Sequence, residues 1–192
     1  MRKLPDGMRE KVLGAAELIA DLGLDATKME DIAAATGVPK ATLYYHFEGK
    51  EDILAFLFTE ILDEVGAAVD AAVHAEGTAA ERLRRLVLAH LGVIEAYPAA
   101  SRALQFDLGR AARTPLINER VETAFRQPVR RLLEAGVADG SLRAVDQPGL
   151  MATAILGAVT TAGINAIALG PRRSAAEIAD DVVGLVIDGV GA

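Results

Sequence analysis

The sequence has neither cysteine nor tryptophan among its 192 residues. Without cysteine there are no disulfides, no thiolate metal sites, no iron–sulfur clusters and no cysteine nucleophile. A cysteine-free chain also suits a reducing cytosol, so a cytoplasmic location is the expectation. Aromatic side chains are scarce, with three Tyr and five Phe. Histidine occurs only at His46, His74 and His90. No Glu-x-x-His pair is present, so a di-iron helical bundle lacks its ligands. A Gly-x-x-x-x-Gly-Lys phosphate loop is missing too. These gaps argue against an enzyme, and neither a metal nor a cofactor is expected. The first residues, Met1-Arg2-Lys3-Leu4-Pro5-Asp6, turn polar at once, and no signal peptide is expected.

What the chain does have is alanine, 37 residues of it, within a composition that is 52% hydrophobic and 24% charged. That balance belongs to a folded chain rather than a disordered one. Alanine is the best helix former, so the expected class is all-α. The formal net charge is -7 from 20 basic and 27 acidic side chains. The length allows one large domain or two small ones.

Helix punctuation divides the chain into about nine helices with no convincing strand. Asp6 can cap a first helix to about Leu22, with Gly23 as its stop and Ala16, Leu18, Ile19 and Leu22 as its apolar stripe. Thr27, with Glu30 three residues on, reads as a capping box for a short helix ending at Gly37. Pro39 suits the first turn of the next helix, which reaches about His46. A fourth runs from near Lys50 to about His74. Thr78 and Glu81 form another capping box for a helix to Tyr97, where Pro98 breaks it. A short helix follows to about Arg110. Thr114-Pro115 opens a helix ending at Gly136. Asp146-Gln147-Pro148 opens an apolar one ending at Gly170-Pro171, and Ser174 with Glu177 caps a last one to Val190.

Residues 147–171 carry no charge over a length that can span a bilayer. They are rich in Ala rather than Leu, and include Thr153, Thr160, Thr161 and Asn165 with Gly157 and Gly163. Insertion scales favour Leu, Ile, Phe and Val. The segment therefore reads as a buried helix in a soluble core or a dimer interface, with no membrane as partner.

Residues 27–46 form two short helices around the turn Ala35-Thr36-Gly37-Val38, as a helix-turn-helix requires. At about 100° per residue, Leu43 and Phe47 fall on one face of the second helix, inward with Ile32 and Val38. Ala41 and Tyr45 point nearly opposite, flanked by Thr42 and Tyr44, with Lys40 and His46 at the edges. A small residue permits close approach, Thr can donate, accept or touch a thymine methyl, and Tyr and Lys reach phosphates. Lys50 adds a further cation. Spacing alone leaves two readings open, a DNA-binding module or a helical dimeric interaction module without DNA. Residues 1–50 hold seven basic and eight acidic side chains, which is no basic footprint. All five lysines nonetheless lie there: Lys3, Lys11, Lys28, Lys40 and Lys50.

The stretch from Thr27 to Leu54 resembles the TetR family of bacterial transcriptional regulators. The resemblance rests on Asp31-Ile32-Ala33, the turn Gly37-Val38, the block Thr42-Leu43-Tyr44-Tyr45-His46-Phe47, and Lys50-Glu51-Asp52-Ile53-Leu54. It implies a helix-turn-helix DNA-binding domain over residues 1–50 and a helical effector-binding and dimerisation domain over 51–192. It implies a ligand-responsive repressor bound as a homodimer to a palindromic double-stranded operator and released by a small, largely apolar effector. By matching positions, Thr42 and Tyr44 contact bases or nearby backbone, Lys28, Tyr45, His46 and Lys50 contact phosphates, and Ala41 sits against a base edge. Lys40 completes the candidate DNA-binding set. Two departures stand out. Glu30 replaces the Arg or polar residue of many members, and Pro39 replaces a small hydroxyl residue.

The last two helices are expected to make the dimer. Ala154, Gly157, Ala158 and Ala162 let a partner helix approach, and Val182, Val183, Leu185, Val186 and Ile187 supply an apolar face. Effector candidates are His90, Ile94 and Tyr97 on one stripe, with Gln105, Phe106 and Phe125 facing them. Few aromatics and no clustered cations favour an aliphatic or acyl-type effector.

Overall fold

A computed structural model describes residues 4–5, 7–106, 115–169 and 173–190, with 168–169 and 186–190 described by backbone alone. Among them are nine helices and no strand element. Helix α1 covers 8–22, as Met8–Leu13 and Ala15–Leu22 joined at Gly14. Then come α2 (Met29–Thr36), α3 (Lys40–His46), α4 (Lys50–Val73), α5 (Ala79–Ala96) and α6 (Pro98–Phe106). Helix α7 covers 115–139, as Pro115–Val121, a π-turn at Glu122–Arg126, and Gln127–Asp139. Helix α8 covers 148–169, as Pro148–Gly163 and a second π-turn at Ile164–Leu169. Helix α9 is Ala175–Val190. The all-α fold with its helix-turn-helix is as the sequence implies. Two compact units result, residues 1–61 with 99–118, and 62–98 with 119–192.

In the first unit, α1 buries Met8, Val12, Ala15, Ala16, Ile19 and Ala20. Leu22, expected in that stripe, is 53% exposed, because the inward face runs through Val12, Ala15 and Ile19 instead. The cap expected at Asp6 lies outside the described residues. The expected Thr27–Glu30 capping box is displaced by one residue. Lys28 is the N-cap, and its backbone N–H donates to the Asp31 carboxylate at 2.9 Å. Thr27 is buried and donates its hydroxyl to the Gly23 carbonyl at 2.8 Å, which takes it out of capping. Helix α2 ends as expected at Gly37, whose φ of 64° is the left-handed cap that glycine adopts without a Cβ penalty.

In the second unit, α5 lies against α7, α8 and α9. Its N-terminus carries the expected Thr78–Glu81 capping box. The Ala79 N–H also donates to Asp139 at 2.8 Å and the Ala80 N–H to Ser141 at 3.2 Å. Hydrogen bonds from Ser141 and Ala79 hold the Asp139 carboxyl below the usual carboxylate range. Ser174 and Glu177 cap α9 as expected, the Ser174 N–H donating to Glu177 at 2.8 Å.

Two features depart from the punctuation. Helix α7 does not stop at Gly136 but continues to Asp139, with the left-handed residue at Gly140. Gly136 is instead a contact point, since a Cβ there would stand 2.5 Å from Leu142 Cδ1. Pro128 has no N–H to offer the carbonyl one turn back, and the backbone widens into the π-turn just before it. The short helix expected to about Arg110 is described only to Phe106.

Replacing Gly136 by Val forces Leu142 out of its seat. The variant is expected to lose about 1–3 kcal/mol, the ordinary cost of overpacking a filled core, read as a lowered denaturant midpoint at unchanged slope.

Candidate functional site

Helix α3 begins after Pro39, which stands at its N-cap with φ -55° and ψ 137°. Leu43 is fully buried, Phe47 is 1% exposed, and the Phe47 ring meets Phe56 edge-on at 5.8 Å. That anchorage decides the outer face. Ala41 is exposed, Thr42 is half-buried, and Tyr44 and Tyr45 are 50% and 64% exposed. Large aromatic rings this exposed on so short a helix are outward by geometry, because Leu43 and Phe47 on either side of them have turned in. The His46 ring is half-buried and packs edge-on to Tyr45 at 5.0 Å, and its Nδ1 has no hydrogen-bond partner.

The cations around this face differ in how they are held. The Lys28 side chain is exposed. Lys40 is ion-paired to Glu30 of α2, and its Nζ stands 5.7 Å from the Tyr44 ring centre. The pairing holds the Glu30 carboxyl low and pushes the Lys40 ammonium up. Lys50 donates to the carbonyls of Asp25 and Thr27, 3.0 Å to each. An ammonium has three protons, so one remains for an outside acceptor. The sequence showed these lysines as a set, but not that Lys50 ties down the segment before α2. Nor did it show Glu30 as the partner of Lys40, since their pairing crosses the turn.

In the second unit the structure brings together His90 and Ile94 of α5 and Phe125 of α7. All three are buried, and the His90 and Phe125 rings meet edge-on at 5.1 Å. Tyr97 closes α5 half-buried, its N–H donating to the Val93 carbonyl at 2.9 Å. Gln105 and Phe106 belong to α6 in the other unit, half-buried and 65% exposed respectively. Thr160 of α8, which the sequence marked only as a polar residue of the charge-free run and not as a site residue, has its hydroxyl oxygen 3.3 Å from His90 Nε2. Its signal was a hydroxyl inside the charge-free run. Burial lowers the His90 pKa to about 4, so the ring is neutral near pH 7. Glu122 in the π-turn pairs with Arg130 and Arg126, 2.5 and 2.9 Å away, and Arg130 chiefly holds its carboxyl low. Among the described residues no cluster of metal-ligating side chains occurs.

Helix α8 turns two faces outward and inward. Ala152, Ile155, Val159 and Gly163 are buried, whereas Leu150, Thr153, Ala154, Gly157 and Thr161 are exposed. Residues Pro148–Ile167 are long and apolar enough to cross a membrane, and 33% of that window is buried within the chain. On α9, Val182 and Val183 are buried and Leu185 is 72% exposed. The side chains of Val186 and Ile187 lie outside the described residues.

Residues 12–56 match the family model described as bacterial regulatory proteins, tetR family. Residues 76–190 match the model described as a tetracyclin repressor-like C-terminal domain. The HTH-type transcriptional repressor KstR2 of Rhodococcus jostii strain RHA1 is 33% identical over 144 residues, covering 71% of this chain and 69% of that protein. The solved structure of the ketosteroid transcriptional regulator KstR2 of Mycobacterium tuberculosis is 26% identical with a TM-score of 0.81, covering 98% of this chain and 97% of the other. AibR in complex with isovaleryl coenzyme A and operator DNA is 26% identical with a TM-score of 0.75, covering 93% and 96%.

The buried imidazole ties stability to pH. Folded His90 binds its proton near pH 4 and unfolded His near 6.5, so between those values the unfolded chain binds more protons. Stability from this group is complete above pH 6.5 and falls as pH drops toward 4, by about 3 kcal/mol at most. A His90→Phe protein is expected to show a flatter loss over that window. Unfolding free energies at stepped pH values check it.

Proposed function

The chain belongs to the TetR family of bacterial regulatory proteins, and from that premise we propose that it binds a palindromic operator as a homodimer and lets go when a small, largely apolar effector binds. It is a ligand-responsive DNA-binding transcriptional regulator and not an enzyme. The observation that carries the reading is the outer face of α3, with Tyr44 and Tyr45 exposed while Leu43 and Phe47 are sunk beneath. Residues 1–50 are the DNA-binding domain and 51–192 the effector and dimer domain. Two α3 helices enter successive major grooves about one turn of DNA apart. Thr42 and Tyr44 meet base edges or adjacent backbone, and Ala41 allows the close approach. Lys28, Lys40, Tyr45, His46 and Lys50 take phosphates, Lys50 with its remaining proton and Lys40 by exchanging Glu30 for DNA. Phosphate contacts position the helix and base contacts specify the site.

The dimer forms through α8 and α9. The exposed row Leu150, Ala154, Gly157 and Thr161, with Leu185 of α9, is apolar or small, as a two-fold helical interface requires. It explains why a charge-free helix is only partly buried within its own chain, without a membrane. His90, Ile94 and Phe125 form the wall of the effector site, with Tyr97 of the same unit as its remaining candidate. The effector acts by its difference in affinity for two separations of the α3 pair. AibR was solved with isovaleryl coenzyme A, and an acyl or other aliphatic effector suits the uncharged wall here. The protein works in the cytoplasm, where its DNA is.

Selection from a random DNA pool is expected to enrich a palindromic site, and no enrichment would favour the helical interaction module. The double variant Thr42→Ala, Tyr44→Ala is expected to lose specific operator binding while sedimenting as a dimer. Unchanged operator affinity sinks the DNA assignment. Gly157→Leu has room within its own chain, with nothing within 4 Å of a Cβ. It is expected to weaken the dimer at least tenfold without unfolding the protomer, as a helix contact spread by large side chains does, measured by sedimentation across protein concentrations.

A further inference from the structure

His90 is 6% exposed, and its Nδ1 is buried with no hydrogen-bond partner. Buried polar nitrogens without partners are rare and destabilising, so this one calls for an occupant. The direction of the missing bond follows from Thr160. Thr27, Thr36, Thr59, Thr123 and Thr153 each donate a hydroxyl to the carbonyl four residues back. The Thr160 hydroxyl is seen only with His90 Nε2. With its proton given to that nitrogen, a neutral ring accepting at Nε2 carries its own hydrogen on Nδ1. The unpartnered group is then an N–H donor.

Apart from Thr160, the described neighbours here are apolar. The ring meets Phe125 on one side, and Leu91 and Ile94 of the same helix close on Gly163 of α8. A water needs two to four polar partners, and one N–H in such a wall supplies too few. A π-turn stands on either side. Phe125 lies in the one at Glu122–Arg126, and the one at Ile164–Leu169 follows Thr160 by one turn and packs on α5. Such widened turns recur at functional sites, where they let a helix wall adjust.

We propose that His90 presents its Nδ1–H as the one hydrogen-bond donor of a site between α5, α7 and α8, and that this site takes an apolar molecule bearing a neutral carbonyl oxygen: a ketone, ester or thioester. The proposal rests on the effector-responsive reading above and names the chemistry of that same site. A free carboxylate is disfavoured because no cation touches the ring among its described contacts. Thr160 is the positioning residue, since it sets which nitrogen carries the hydrogen.

Nitrogen-15 NMR of the imidazoles tests the donor directly, with His90→Phe assigning the resonance among only three histidines. The Nδ1–H tautomer is expected in the free protein, and Thr160→Val is expected to abolish that preference. Calorimetry with 2-octanone and with octanoate tests the class. 2-Octanone is expected to bind the wild-type dimer about tenfold more tightly than His90→Phe, the worth of one buried hydrogen bond, and to shift the Nδ1 resonance. Octanoate is expected to bind more weakly than the ketone. An Nε2–H tautomer in the free protein overturns the proposal. So does equal ketone affinity in wild type and His90→Phe, which still leaves an apolar effector site in place. Tighter octanoate binding overturns the ligand class, and binding of neither probe overturns both this proposal and the apolar-effector reading. Operator selection stays independent of all these outcomes.

Discussion

Seven residues close too few of their own hydrogen bonds to hold a helix, so α3 exists through the burial of Leu43 and Phe47. Everything proposed for DNA depends on that anchorage. With those two side chains locked inward, the helix has no freedom to roll, and Ala41, Tyr44 and Tyr45 have nowhere to go but out. The left-handed Gly37 and the extended Pro39 set where α3 starts relative to α2. Lys50 then holds the carbonyls of Asp25 and Thr27, so a single cation fastens the start of α4 to the lead-in of α2. Recognition by a rigid face loses less entropy on binding than recognition by a loop.

The second unit solves a different problem with small side chains. With so few aromatics its helices fill space by coming close, as where Gly163 meets Leu91 and Ile94 and where Gly136 meets Leu142. Such packing has little room for polar atoms, and the His90–Thr160 pair is an exception at its centre. A polar pair in an apolar wall costs stability unless something else is gained. An effector that completes the pair would recover that cost only when bound, which links occupancy to the conformation of the helices around it.

Much of this was legible from residue types alone. Thr78–Glu81 and Ser174–Glu177 read as caps because both members of the box lie within one turn. Leu43 and Phe47 read as inward because a four-residue spacing returns to one helix face. The failures share a cause. Thr27 lost its capping role to a carbonyl behind it, Gly136 proved to be a contact rather than a stop, and Thr160 found its partner 70 residues away. Each was decided by a neighbour in space that spacing along the chain does not show. The π-turn before Pro128 was in reach of the sequence, since a proline inside a helix must displace a hydrogen bond somewhere.

The net charge of -7 at first tells against DNA. Its distribution removes the conflict, because residues 1–50 sum to only -1 and 51–192 carry the remaining -6. Long-range attraction is therefore weak, and on the proposed reading the phosphates are met by cations at chosen positions. Lys40 is already neutralised by Glu30, so the phosphate contact proposed for it would exchange one anion for another rather than gain a new pair. Counterion release scales with the cations that end on phosphates, and non-specific affinity comes mostly from that term. A head with few free cations gains little from arbitrary DNA. On the proposed reading, more of its binding would then come from Thr42, Tyr44 and the close approach at Ala41, the contacts proposed to distinguish one sequence from another.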